Sequence, residues 1–125
     1  MHLKLKRMRL LFVYNANSGL LPLLKDVSHK IISPKTYPCS LCALTYNTFT
    51  ESNTWKTYRK NTTIEMIFYH KDEYESLYNY KTTYPSILIE NKNKIKGFID
   101  KNRLNQLTSV QELIALIEKE KNSIL

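Results

Sequence analysis

Cys39 and Cys42 stand three residues apart in Tyr37-Pro38-Cys39-Ser40-Leu41-Cys42, and they are the only cysteines in 125 residues. Three readings are open to such a pair: thiol–disulfide exchange, half of a metal site, or two small apolar residues with no chemistry. If Pro38 opens a helix, both sulfurs project from its first turn on the same side. The free backbone N–H groups there stabilise a thiolate and can lower a cysteine pKa from about 8.5 to roughly 3.5–7.5. In the exchange reading Cys39 and Cys42 are the catalytic pair: Cys39 attacks, Cys42 resolves the mixed disulfide, and Lys35 adds positive potential. The substrate would be a protein or a small thiol. A closed zinc site needs four ligands, so zinc as a cofactor requires His29 and His70 to join the two cysteines.

The remaining composition narrows the class. Hydrophobic residues make up 42% and charged residues 24%, ordinary values for a globular protein, and the length fits one domain over 1–125. A net charge of +8 invites a nucleic-acid or anionic-lipid partner. The only dense basic cluster, however, is Lys4, Lys6, Arg7 and Arg9, and the other lysines are scattered, so nucleic acid is not the expected partner. The apolar run Leu10–Tyr14 is too short for a secretory core and lacks a small-residue cleavage site. No stretch approaches the roughly 18 apolar residues of a membrane span. A cytoplasmic protein without membrane attachment is expected. In that compartment a lone cysteine pair is more often redox or metal chemistry than a staple.

The elements that must position the pair follow in order. Arg9 to Tyr14 is a strand pattern buried on both faces. Asn15-Ala16-Asn17-Ser18-Gly19 breaks it, and Leu20, Leu23, Leu24, Val27 and Ile31 follow at helical spacing. Ser33-Pro34 stops that helix. Cys39 to Tyr46 has room for two helical turns, and Ser52 caps a short helix carrying Trp55 and Tyr58. Ile64 to Tyr69 reads as a second strand, and Asp72 to Tyr78 as a short helix with acidic residues at its start. Ser86-Ile87-Leu88-Ile89 is a third strand, Asn91-Lys92-Asn93 a turn, and Ile95 to Ile99 the returning strand of a hairpin. Ser109 and Glu112 form a capping box for a last helix with Val110, Leu113, Ile114 and Ile117 as its buried stripe. The order predicts an α/β protein: a central four-stranded mixed sheet, first two strands parallel, flanked by helices on both faces.

This order resembles the thioredoxin-like fold in its glutaredoxin-type form, over nearly the whole chain. The best local match is Tyr84-Pro85-Ser86-Ile87-Leu88-Ile89 with the hairpin and capped helix behind it. The resemblance implies a cis bond before Pro85, with Pro85 and Tyr84 facing the binding site. It also implies a site at the turn after the first strand, which here is Asn15, Asn17 and Ser18. These residues suit a turn and cap, and their N–H groups could bind an anion or peptide carboxylate. The family carries its Cys-x-x-Cys at that turn, whereas Cys39 and Cys42 lie in an apparent helical insertion, about 33–61, after the first helix. The chain is similar, too, to a group of short uncharacterised bacterial proteins sharing Tyr-Pro-Cys-x-Leu-Cys-Ala-Leu-Thr-Tyr, some labelled GTPase. With only two glycines and no Gly-Lys-Ser/Thr, no phosphate-binding loop supports that label. A thiol–disulfide exchange protein is therefore expected, the alternative being a noncatalytic binding module with structural or zinc-holding cysteines. If several of Tyr37, Tyr46, Tyr69, Tyr74, Tyr78 and Tyr84 surround the pair, they form an apolar groove for a partner.

Overall fold

A computed structural model describes residues 8–16, 39–46 and 51–124. The predicted helix over 20–31 lies outside these residues, as do Asn17, Ser18, His29, Lys35, Tyr37 and Pro38. The described elements are β1 (Met8–Tyr14), α1 (Ser40–Thr45), α2 (Asn53–Asn61), β2 (Glu65–His70), α3 (Lys71–Leu77), β3 (Ser86–Asn91), β4 (Lys94–Ile99), α4 (Lys101–Asn105) and α5 (Val110–Ser123). The strands form one open sheet in the order β2-β1-β3-β4. β1 is parallel to β2 and antiparallel to β3, and β4 is antiparallel to β3. This mixed α/β architecture is consistent with a thioredoxin-like arrangement.

The continuous apolar run of β1 follows from its central place. Met8, Leu10, Phe12 and Tyr14 point into one core, and Leu11 and Val13 into the other. Alternate residues of a strand face opposite sides, so a strand covered on both sides needs apolar residues at every position. The larger core joins β1 to Cys39, Leu41 and Cys42 of the α1 segment, Trp55 of α2, Leu104 of α4, and Leu113 and Ile117 of α5. The smaller one packs Tyr74 of α3 against Leu11, Val13 and Leu88. Helices therefore do cover both faces.

The cysteine-bearing stretch is not peripheral to this core. Leu41 and Trp55 are fully buried, and Trp55 meets Phe12 at 5.5 Å and Phe68 at 6.3 Å between ring centroids. Its described parts, α1 and α2, form part of the layer over one face of the sheet. The described part of the stretch expected as an insertion thus belongs to the main core.

Several element ends differ from expectation for local reasons. β2 starts at Glu65 instead of Ile64, and Ile64 is buried just before it. The helix Lys71–Leu77 begins one residue early because His70 serves as its N-cap. The helix Lys101–Asn105 was not anticipated. Its signal was Asp100, whose Oδ1 accepts the Arg103 N–H at 2.9 Å, an N-cap geometry. Ser109 does cap α5 through its Oγ, at 3.2 Å from the Glu112 N. The Glu112 carboxylate, however, reaches back to the N–H and Oγ1 of Thr108, not to Ser109.

The β3–β4 turn has φ of 54° at Lys92 and 68° at Asn93. Two left-handed residues in a two-residue loop define a turn for which Asn-Gly is favoured, because other side chains strain there. Replacing Lys92 with Asn and Asn93 with Gly together is expected to raise the unfolding free energy by about 1 kcal/mol. Urea unfolding checks this; an unchanged midpoint contradicts it.

Candidate functional site: the Cys39–Cys42 pair

The pair is joined as a disulfide, with Cα atoms 5.3 Å apart. Its helix starts later than the Pro38 reading placed it. Ser40 is the first helical residue, and Cys39 is the N-cap, with φ −129° and ψ 88°. The cause is Cys39 itself: its Sγ accepts the Cys42 N–H at 3.2 Å, as a serine oxygen would in an N-cap. This N–H is a helix-start donor with no intrahelical acceptor, and in the reduced protein it is placed to hydrogen-bond the Cys39 sulfur.

Both residues are buried. Cys39 is 1% exposed and Cys42 is 6% exposed. The helix they open is tied to the sheet at its other end, where Thr45 Oγ1 lies 3.3 Å from the Tyr14 hydroxyl and donates to the Leu41 carbonyl at 2.9 Å. Burial pushes the Tyr14 pKa up, so this hydroxyl stays protonated. Tyr14 ends β1. Beside it Val13 pairs with Ser86, and the cis bond expected between Tyr84 and Pro85 is present immediately before Ser86. Thr45 and Pro85 therefore lie toward the same end of the sheet.

The other candidates fall as follows. Asn15 is half-buried in the turn after β1, and the next residue, Ala16, accepts the Lys71 N–H at 3.1 Å. Pro85 is buried and Tyr84 half-buried. Tyr84 belongs to the smaller core with Tyr69, Tyr74 and Tyr78, on the face opposite the cysteines. Of the five described among Tyr37, Tyr46, Tyr69, Tyr74, Tyr78 and Tyr84, only Tyr46, at the end of α1, packs on the cysteine side, so these five do not build a groove around the disulfide.

His70 ends β2, with Nδ1 at 2.6 Å from Glu73 Oε1 and Nε2 buried without a partner. Among the described residues no three His, Cys, Asp or Glu side chains converge as a metal site. Held as a disulfide, Cys39 and Cys42 offer no thiolate to zinc; zinc would compete with the disulfide for the reduced pair. Among the described residues no helix is long and apolar enough to cross a membrane.

The tyrosine face carries its own prediction. The Tyr69 and Tyr74 pKa values are pushed up to about 12, chiefly by burial. The folded state thus favours the neutral phenol relative to an unfolded value near 10. Its contribution is complete below pH 10 and is lost as pH rises through about 12. Tyrosinate absorbance is expected to rise together with loss of helical circular dichroism in that window. Titration of all tyrosines near pH 10 with the fold intact contradicts it.

Together the fold and the site define a small mixed α/β protein with a buried Cys-x-x-Cys disulfide that caps a helix. Comparison with protein-family models, with curated proteins and with solved structures finds no match.

Proposed function

We propose that this chain, as a single thioredoxin-like domain over 1–125, carries out thiol–disulfide exchange through Cys39 and Cys42. The observation that supports it most is the Cys42 N–H donated to Cys39 Sγ within an already formed disulfide. In the reduced protein the Cys39 thiolate attacks one sulfur of a substrate disulfide, forming a mixed disulfide and releasing one thiolate. The Cys42 thiolate then attacks the Cys39 sulfur and releases the second substrate thiolate, and the Cys39–Cys42 disulfide is restored. Two electrons pass from the protein to the substrate. Asn15 and Pro85 would bind the substrate backbone at the shared end of the sheet, Tyr84 lying on the face opposite the cysteines, and a reducing compartment such as the cytoplasm would regenerate the dithiol. Because both cysteines are buried, each cycle requires the α1 segment to open.

That burial also favours a second reading, a noncatalytic binding module in which the disulfide is a staple. Cys42→Ser distinguishes them. Mixed with glutathione disulfide under native conditions, it is expected to trap glutathione on Cys39, seen by mass spectrometry. Absence of the adduct until the protein is unfolded favours the staple.

A further inference from the structure

The two edges of the sheet differ. β4 is defended against further pairing: Lys94 and Lys96 are exposed along it, and its register shifts opposite Ile87 and Leu88. β2 has no such defence. Its sequence Glu65-Met66-Ile67-Phe68-Tyr69-His70 contains no lysine, proline or glycine, and Met66 to His70 are only half-buried. Among the described residues β2 pairs with β1 alone, and a cleft of about 310 Å³ lined by Arg59, Thr62, Ile64, Met66 and Phe68 runs beside it.

We propose that this edge pairs antiparallel with β2 of a second copy of the chain, making one continuous eight-stranded sheet. The His70 N–H is bonded to the Glu73 side chain at 2.8 Å, so it points away from β1. In a parallel pair, N–H and C=O of successive residues alternate between inward and outward, so Met66 and Phe68 present theirs on the open side. A two-fold axis at Ile67 lets Met66 and Phe68 of each copy exchange these groups, four hydrogen bonds in all, without using the His70 N–H. The same register keeps like faces together and sets Glu65 of one copy diagonal to Lys71 of the other, within reach of two long side chains. The strand together with Lys71, the first residue of α3, is thus complementary to itself in charge as well as in hydrogen bonding, which favours a second copy over an unrelated peptide.

Sedimentation of the full chain across the micromolar to millimolar range tests this. The expected result is a concentration-dependent species of twice the 14.8 kDa chain mass. Glu65→Lys and Lys71→Glu should each weaken it about tenfold with circular dichroism unchanged, and the double reversal should restore it. Met66→Pro, which deletes an outward N–H, should abolish it. A monomer throughout, or a dimer indifferent to all these changes, overturns the proposal. So does a monomer whose edge instead takes up an unrelated extended peptide.

Discussion

Replacing Trp55 with alanine is expected to lower the unfolding free energy by about 3–5 kcal/mol, a large share of a small domain's stability. Trp55 is fully buried among Phe12, Tyr58 and Phe68, with ring centroids 5.5, 5.7 and 6.3 Å away. Deleting the indole removes its own burial and leaves a cavity against the central strand, whose neighbours are held by backbone ladders and cannot collapse into it. Two controls isolate the cause. Lys56→Ala, on the exposed side of the same helix, should change stability by no more than about 0.5 kcal/mol. Trp55→Phe should cost much less than alanine, because it keeps an aromatic ring and removes the indole N–H, which is buried without a partner. Urea unfolding of the three variants reads all of this. A Trp55→Ala cost below about 1 kcal/mol would mean that the α1–α2 stretch sits on the core without belonging to it.

Cys39→Ser is expected to abolish thiol–disulfide exchange completely and to lower stability by roughly 2 kcal/mol, the loop-entropy value for so short a ring. The serine hydroxyl can still accept the Cys42 N–H, so the N-cap survives and the loss reports the disulfide alone. Cys39→Ala removes the cap as well and should cost about 1 kcal/mol more. Adding reductant to the wild type should reproduce the Cys39→Ser stability and not the Cys39→Ala one. If serine and alanine are equally destabilising, the sulfur makes no capping bond that matters. If the disulfide is worth nothing to the folded state, wild type and Cys39→Ser will unfold at the same urea concentration.

The parts of the fold that were legible in the sequence are those where the local pattern and the tertiary role agree. Leu10–Tyr14 is apolar at every position because β1 is covered on both faces, and the turn residues Lys92 and Asn93 sit where the polar break in the pattern placed them. Ser52 and Ser109 cap the helices they announced. Three features were hidden for physical reasons. The helix at Lys101–Asn105 is five residues long, too short to show a periodic stripe, and only Asp100 marks it. The start of α1 was misplaced because proline is the commoner opener, while a cysteine sulfur is a rare N-cap. The place of the tyrosines depends on which face of the sheet each reaches: Tyr69 follows strand alternation, but Tyr74, Tyr78 and Tyr84 are placed by α3 and the segment after it. No spacing in the sequence carries that information.

The candidate site was legible as chemistry and not as environment. The Pro-Cys-x-x-Cys spacing announced a bondable pair, and the bond is there. That both cysteines would lie in the main core with Leu41, Trp55 and Leu104 could not be read from it, since exposure is set by elements distant in sequence. The same burial constrains the proposed function: exchange on Cys39 and Cys42 would depend on opening α1 without unfolding the sheet beneath it.

The rate at which dithiothreitol reduces the native Cys39–Cys42 disulfide tests that claim most directly. Local opening of α1 predicts a rate that rises in proportion to dithiothreitol concentration and exceeds the global unfolding rate measured separately in denaturant. A rate that levels off at the global unfolding rate would contradict it, because the disulfide would then be reached only when the whole fold comes apart.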